Sequence, residues 1–173
     1  GRTYLAAGMA DEAKARARQL LAALLPLAQR GIAIVGLEPS CLLTLRDEML
    51  AMGLGAAAQT VAGQALMLEE FLAREAQAGR FRPSLRPAQR QILVHGHCHQ
   101  KAFGTAPAVL AVLRLIPDAN PTLIESSCCG MAGSFGYEAA HHAVSMQMAE
   151  LSLLPALRAA PEALIVADGT SCR

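Results

Sequence analysis

The residues of this 173-residue chain best suited to chemistry are its five cysteines and five histidines. They crowd into a few short stretches. One is His95-Gly96-His97-Cys98-His99, a second is Ser126-Ser127-Cys128-Cys129-Gly130-Met131-Ala132-Gly133, and a third ends the chain at Ser171-Cys172-Arg173. Thiolates are soft ligands that select iron–sulfur clusters or zinc over hard cations. Adjacent cysteines such as Cys128 and Cys129 make poor disulfide partners, because their Cβ vectors diverge. They can still serve a polynuclear cluster, each thiolate reaching a different iron. The glycine that follows them lets the backbone approach a cluster and adopt positive φ. The expectation is that Cys98, Cys128, Cys129 and Cys172 converge as ligands of an iron–sulfur cluster.

Each of these residues also has a plainer reading. Free cysteines are among the most buried residue types, so the four thiols could simply fill a core. His95, His97 and His99 alternate, and if the strand before them continues they share one face and could bind zinc. Otherwise they donate hydrogen bonds to sulfur and tune a potential. His141 and His142 read as solvated histidines opening a helix. Gly130, Gly133 and Gly136 could cradle a phosphate at a helix N-terminus, but the spacing is not a dinucleotide fingerprint. Clearance for a cluster accounts for the glycines better, with Gly130 and Gly133 as the cofactor-side positions. Glu125 and Asp168 read as caps or sheet-edge acceptors rather than proton carriers. A thiol–disulfide enzyme using Cys128 and Cys129 is a weak alternative, since the sequence has no C-x-x-C.

The elements that must position these residues alternate in type. Residues 9–25 read as a helix, with Met9, Ala13, Leu20, Leu21 and Leu24 apolar, ended by Pro26 and Gly31. Ile32-Ala33-Ile34-Val35 reads as a buried strand leading to Glu38-Pro39-Ser40-Cys41. Helices follow over 42–52 and 64–79. Residues 81–90, basic and carrying Pro83 and Pro87, read as a linker. Gln91–His95 is a strand, with a helix over about 106–116. Thr122–Glu125 is a strand, with a long helix over about 138–154 that packs Val144, Met148, Leu151 and Leu154 inward and stops at Pro155. Ala163–Ala167 is the last strand. Such alternation predicts an α/β fold, with parallel sheets flanked by helices. Cys41, Cys98, Cys128 and Cys172 would then each lie just beyond the C-terminal end of a strand, the edge where open α/β sheets build their sites.

Composition narrows the function classes. A formal net charge of +1 gives no footprint for nucleic acid or an anionic membrane surface. Aromatics at 3%, with no Trp, supply no stacking platform for single strands. No apolar run reaches the ~18–20 residues of a membrane span, and no signal peptide is visible. An odd number of cysteines argues for reduced thiols and a cytosolic setting. The chain starts at Gly1-Arg2-Thr3 without an initiator Met and stops beside a candidate ligand. Both ends read as cut, so a fragment of a longer polypeptide is expected.

The segments His95-Gly96-His97-Cys98-His99-Gln100-Lys101, Ser127-Cys128-Cys129-Gly130-Met131-Ala132-Gly133-Ser134-Phe135-Gly136-Tyr137-Glu138 and Ala167-Asp168-Gly169-Thr170-Ser171-Cys172 resemble the cysteine-rich CCG domain. That domain occurs twice in one of the subunits of heterodisulfide reductase and in the iron–sulfur subunits of glycolate oxidase. The match looks closest to the C-terminal part of fused FAD-linked oxidase/iron–sulfur proteins, which resemble D-lactate and D-2-hydroxyglutarate dehydrogenases. In the first half the likeness rests on Glu38-Pro39-Ser40-Cys41. The resemblance implies two pseudo-repeats: a partial first one over 1–80 with Cys41 as its later cysteine, and a second over 91–173. A last ligand two residues beyond Cys172 is often present in the family and is absent here. Implied too are a [4Fe–4S] cluster, FAD in another domain of the same polypeptide, and electron transfer from that flavin, which oxidises a D-2-hydroxy acid, to a quinone or other acceptor. The fragment would not turn over substrate alone. The runner-up is a zinc-binding structural or interaction domain, with Cys98, Cys128, Cys172 and one His as ligands. Partners would be the N-terminal FAD-binding domain and the acceptor, with no nucleic acid and with a homo-oligomer allowed. The expected location is the cytoplasm, with a peripheral place at the inner membrane allowed.

Overall fold

A computed structural model describes residues 1–126 and 128–173. Ser127, part of the motif quoted above, lies outside the described residues. The fold is mixed α/β, with short parallel sheets and flanking helices, as the alternation predicts. The chain divides into two compact units, Gly1–Phe71 and Leu72–Arg173. No helix among the described residues is long and apolar enough to cross a membrane.

The first unit opens with α1 (Arg2–Ala6) and α2 (Ala10–Gln29). Pro26 does not end α2; it sits inside it. Proline removes one N–H and crowds the carbonyl four residues back. Here both Pro26 and Ala22 face solvent, so water can take up the freed carbonyl. The chain turns instead at Gly31, where φ is +72°. The buried stripe of α2 is Ala13, Ala17, Leu21 and Ala28, whereas Met9 and Leu20 are exposed. Alanines allow the close approach of α5, against which α2 packs.

β1 (Ile34–Gly36) leads into α3 (Pro39–Leu43), α4 (Glu48–Ala51), α5 (Gly55–Ala62), β2 (Ala65–Met67) and α6 (Leu68–Gln77). The division between the units falls within α6. β1 pairs in parallel with β2, Ile34 opposite Ala65. Being one of only two strands in this sheet, β1 is half-exposed rather than buried. Two elements differ from the sequence reading. The helix expected over 42–52 is split, because Pro39 starts α3 early and Thr44 Oγ1 donates back to the Ser40 carbonyl at 2.7 Å. The helix expected from residue 64 begins with β2, a strand that exists only through its pairing with β1. Its Met67 N–H donates to Glu70 Oε2 at 2.9 Å, and Arg46 pairs with the same carboxylate at 2.7 Å.

In the second unit, residues 78–91 carry no helix or strand. The following elements are β3 (Ile92–His95), α7 (Cys98–Ala102), α8 (Ala106–Leu113), β4 (Pro121–Leu123), α9 (His142–Glu150), α10 (Leu153–Ala159) and β5 (Leu164–Ala167). Short 3-10 turns lie at Phe135–Tyr137, Ala139–His141 and Thr170–Cys172. The sheet order is β4-β3-β5, all parallel. β3 is central and buried on both faces, as parallel strands covered by helices are. Ile92 and Val94 meet Val109, Leu110 and Leu113 of α8 on one face. Leu93, on the other, packs with Ile124, Cys129 and Leu153.

The long helix expected over 138–154 is broken. α9 ends at Glu150, and α10 restarts after Ser152 with Pro155 inside it. Val144 is 48% exposed and Leu151 74%; the residues turned inward are Ser145, Ala149 and Leu153. The reason lies at Gly130 and Gly136. A Cβ at Gly130 would sit 2.1 Å from the Ser145 carbonyl oxygen, and one at Gly136 would sit 2.6 Å from Ser145 Oγ. α9 presses its backbone onto this loop, so a small residue must face it.

Candidate metal centre

Three loops at the C-terminal ends of β3, β4 and β5 carry the second unit's cysteines. β3 ends at His95, and Cys98 is the first residue of α7. β4 ends at Leu123, and Cys128 and Cys129 follow. β5 ends at Ala167, and Cys172 closes a 3-10 turn. Because the three strands are parallel neighbours, these loops emerge on the same side.

Cys129 is buried and Cys172 half-buried, with their sulfurs 3.9 Å apart. A ring nitrogen of His95 lies with both sulfurs in a set whose members are all within 4.8 Å of one another. Cys98 lies against Cys128 beside this three-member set. None of the five cysteines is in a disulfide. The Gly130 N–H donates to Cys128 Sγ at 3.3 Å, and the Met131 main chain donates to Cys129. Positive φ at Gly130 (+87°), Ala132 (+42°) and Gly133 (+71°) curls this loop. Ala132 is the costly member, since a side chain disfavours that region.

The electrostatics follow from this crowding. The Cys129 thiol is held well below the usual thiol range, chiefly by a hydrogen bond from Cys172 and then by the neighbouring His95 ring. Cys172 is pushed far up as the partner that keeps the proton, with burial adding to the effect. Cys98 is exposed as a residue, yet partial covering of its sulfur raises its pKa, as does the adjacent Cys128; Lys101 opposes both. The two opposite shifts have one main origin, the 3.9 Å contact between the Cys129 and Cys172 sulfurs.

His95 is the histidine that joins the thiols. It is 2% exposed, and its Nδ1 lies 3.1 Å from Ser126 Oγ. Its Nε2 is buried without a hydrogen-bond partner among the described residues. The strand does not run on through His97 and His99, so the three histidines do not share a strand face. His97 instead caps α7: its Nδ1 accepts from the His99 N–H at 3.1 Å. Its ring is packed so tightly on Gly169 that a Cβ there would lie 2.4 Å from Cδ2. His141 stacks on Phe135 and contacts Glu138, while His142 is exposed. Glu125 is exposed. Asp168 accepts a hydrogen bond from Gln100 Nε2 at 2.6 Å. Cys41 belongs to the first unit, exposed on α3 just past β1.

Sequence reasoning passed over three residues here. Gln100 is 1% exposed and closes a capping box, its Oε1 accepting from the His97 N–H at 3.0 Å. Lys101 Nζ donates to the Ser126 carbonyl at 2.6 Å. Ser126 orients His95. The signal for Gln100 was present as His97-x-x-Gln100, which has capping-box spacing with an unusual cap. Alternation along β3 puts His95 on the face of Leu93, and hence of Cys129. Four thiols and one imidazole, backed by main-chain N–H donors to sulfur, form a soft donor set that fits an iron–sulfur cluster or zinc.

Among proteins of described function, the chain is similar to D-2-hydroxyglutarate dehydrogenase of Escherichia coli K12, at 32% identity over 149 residues. That match covers 85% of this chain and 14% of the relative. It is also similar to one subunit of the anaerobic glycerol-3-phosphate dehydrogenase of Escherichia coli K12 and O157:H7, at 26% identity over 144 residues, covering 83% of this chain and 36% of the relative. The chain thus spans well under half the length of the curated relatives it matches, which are both dehydrogenase proteins by name. No family model matches the chain, and no solved structure matches it.

Proposed function

We propose that Cys98, Cys128, Cys129 and Cys172 hold an iron–sulfur centre, of [4Fe–4S] type, and that the chain is an electron-transfer module of a flavin-linked dehydrogenase. The observation that supports this most is that four cysteines, none in a disulfide, come from three loops at one end of a parallel sheet. The similarity to parts of two dehydrogenases sets the class of chemistry. In this reading an FAD domain elsewhere in the polypeptide oxidises a D-2-hydroxy acid, and a quinone or other acceptor takes the electrons. The centre would supply one-electron transfer. The chain's own residues fix the sulfurs and set their surroundings. Gly130 and Gly133 curl the loop so that main-chain N–H groups face sulfur, which favours the thiolate state and raises a potential. His95 presents a ring nitrogen to the same sulfurs from a dry position. Cys41 stands in the first unit where Cys172 stands in the second, just past a parallel strand, and would serve a separate centre whose other thiols residues 1–71 do not contain.

One observation favours a second reading. The set of His95, Cys129 and Cys172, with ligand atoms within 4.8 Å of one another, suits a tetrahedral zinc site completed by one more thiolate. Anaerobic reconstitution with iron and sulfide, and separately with zinc, discriminates the two. Brown protein with matching iron and sulfide, which Cys128→Ser abolishes, supports the cluster. Colourless protein that takes up one zinc and no iron sinks it.

A further inference from the structure

We infer that Gln100 is a positioning residue that clasps the Cys98 loop to the Cys172 loop and so holds the thiols at their working separation. This rests on the reading of those thiols as one centre. Gln100 is two positions beyond Cys98, and Asp168 is four before Cys172. The side chain joins the two. Its Oε1 accepts from the His97 N–H at 3.0 Å, and its Nε2 donates to Asp168 Oδ2 at 2.6 Å. Its main-chain carbonyl accepts from the Thr105 N–H at 2.9 Å. Gln100 itself is 1% exposed and its two side-chain bonds are part-buried, which limits competition from water.

The partners also fix the amide's orientation. A main-chain N–H can only donate and a carboxylate can only accept, so the oxygen must face His97 and the nitrogen must face Asp168. No other neutral side chain of this length carries an acceptor and a donor on one planar group. The contact of His97 with Gly169 packs the same two loops together beside the bond. Lys101, the next residue, reaches the carbonyl of Ser126 and so ties α7 to the loop of Cys128 and Cys129. The first turn of α7 therefore touches every thiol-bearing loop of this unit, with Gln100 the buried member.

The fixed polarity allows a reversal test. Gln100→Glu keeps the acceptor for His97 but sets a carboxylate against Asp168. Adding Asp168→Asn supplies a donor, so the bond reforms with its direction inverted and the total charge unchanged. Two readouts apply to each protein, with circular dichroism confirming that it is folded. One is iron and sulfide bound after reconstitution, with the midpoint potential. The other is the yield of a Cys98–Cys172 cross-link in metal-free protein with dibromobimane, mapped by mass spectrometry. Loss of a part-buried charge-assisted bond predicts a cross-link yield and iron content about tenfold lower in Gln100→Glu. The Gln100→Glu/Asp168→Asn protein should recover most of both. Equal cross-linking in wild type and Gln100→Glu, or no recovery in the double variant, overturns the clasp. If wild type takes up no iron while cross-linking still falls and recovers, the clasp stands and the cluster reading fails.

Discussion

Cys129 lies deepest of the four thiols, with Leu93, Ile124 and Leu153 on one side and the Cys172 sulfur on the other. In the proposed centre Cys129 would be a buried ligand shielded from water, whereas Cys98 opens to solvent. Cys129→Ser should therefore lower bound metal by at least about tenfold, because loss of an outer-shell partner alone costs 10–100-fold. Cys98→Ser should leave a centre that forms but is lost to a chelator faster; metal analysis before and after chelator challenge checks both. Gly130 is the other residue with no substitute. Its φ of +87° disfavours any side chain, and a Cβ would collide with the Ser145 carbonyl. Gly130→Ala should cost about 3 kcal/mol or more, read by denaturant unfolding. The thiols and this glycine could be read directly from their types and spacing. His95 and Gln100 could not be ranked, because a histidine or glutamine gains its role only from what the fold lays beside it.

At the scale of elements, Pro26 within α2 is a local defect tolerated on a wet face. Pro26→Ala should restore a helix hydrogen bond and stabilise the first unit by about 1 kcal/mol or more, seen as a higher unfolding midpoint. The link from α9 to α10 is held by Arg158 bound to the Glu150 carboxylate. That bond lowers the pKa of Glu150. A depressed folded-state pKa adds stability above the unfolded value, lost as pH falls through the folded one. Arg158→Met should thus shift the thermal midpoint slightly downward near pH ~7, with the difference from wild type fading below pH ~4. Both partners are solvent-exposed, so high salt should shrink the difference as well. The strand–helix alternation was legible because β3 and β5 are short apolar runs that include β-branched Ile and Val. β2 was not, since Ala65-Leu66-Met67 has no strand preference of its own and owes its form to β1. The break after α9 was hidden for a related reason. Apolar spacing put Val144 and Leu151 inward, but close backbone packing on Gly130 and Gly136 turns Ser145 there instead.

For the molecule as a whole, chemistry and numbers of cysteines are divided unequally between the units. The second unit holds four thiols and His95; the first holds Cys41 alone. Cys41→Ser should leave the metal content and spectrum of this chain unchanged, whereas any serine in the second unit's set should alter them. The plan of parallel strands with cysteines at one edge could be inferred from sequence, since strand ends and cysteines coincide along the chain. The boundary within α6 could not, because composition shifts at the basic, proline-bearing stretch over 81–90 and not at Phe71.

The strand order β4-β3-β5 has a consequence in time. The central strand pairs with neighbours that follow it by 29 and 72 residues, Ile92 with Pro121 and with Leu164, so closing these loops is slow compared with forming a helix. No pair of adjacent loops suffices to gather the four sulfurs. Metal capture by the proposed centre would then wait for the whole sheet, and in a refolding experiment with iron and sulfide the colour should appear with the last phase, after the far-ultraviolet signal has recovered.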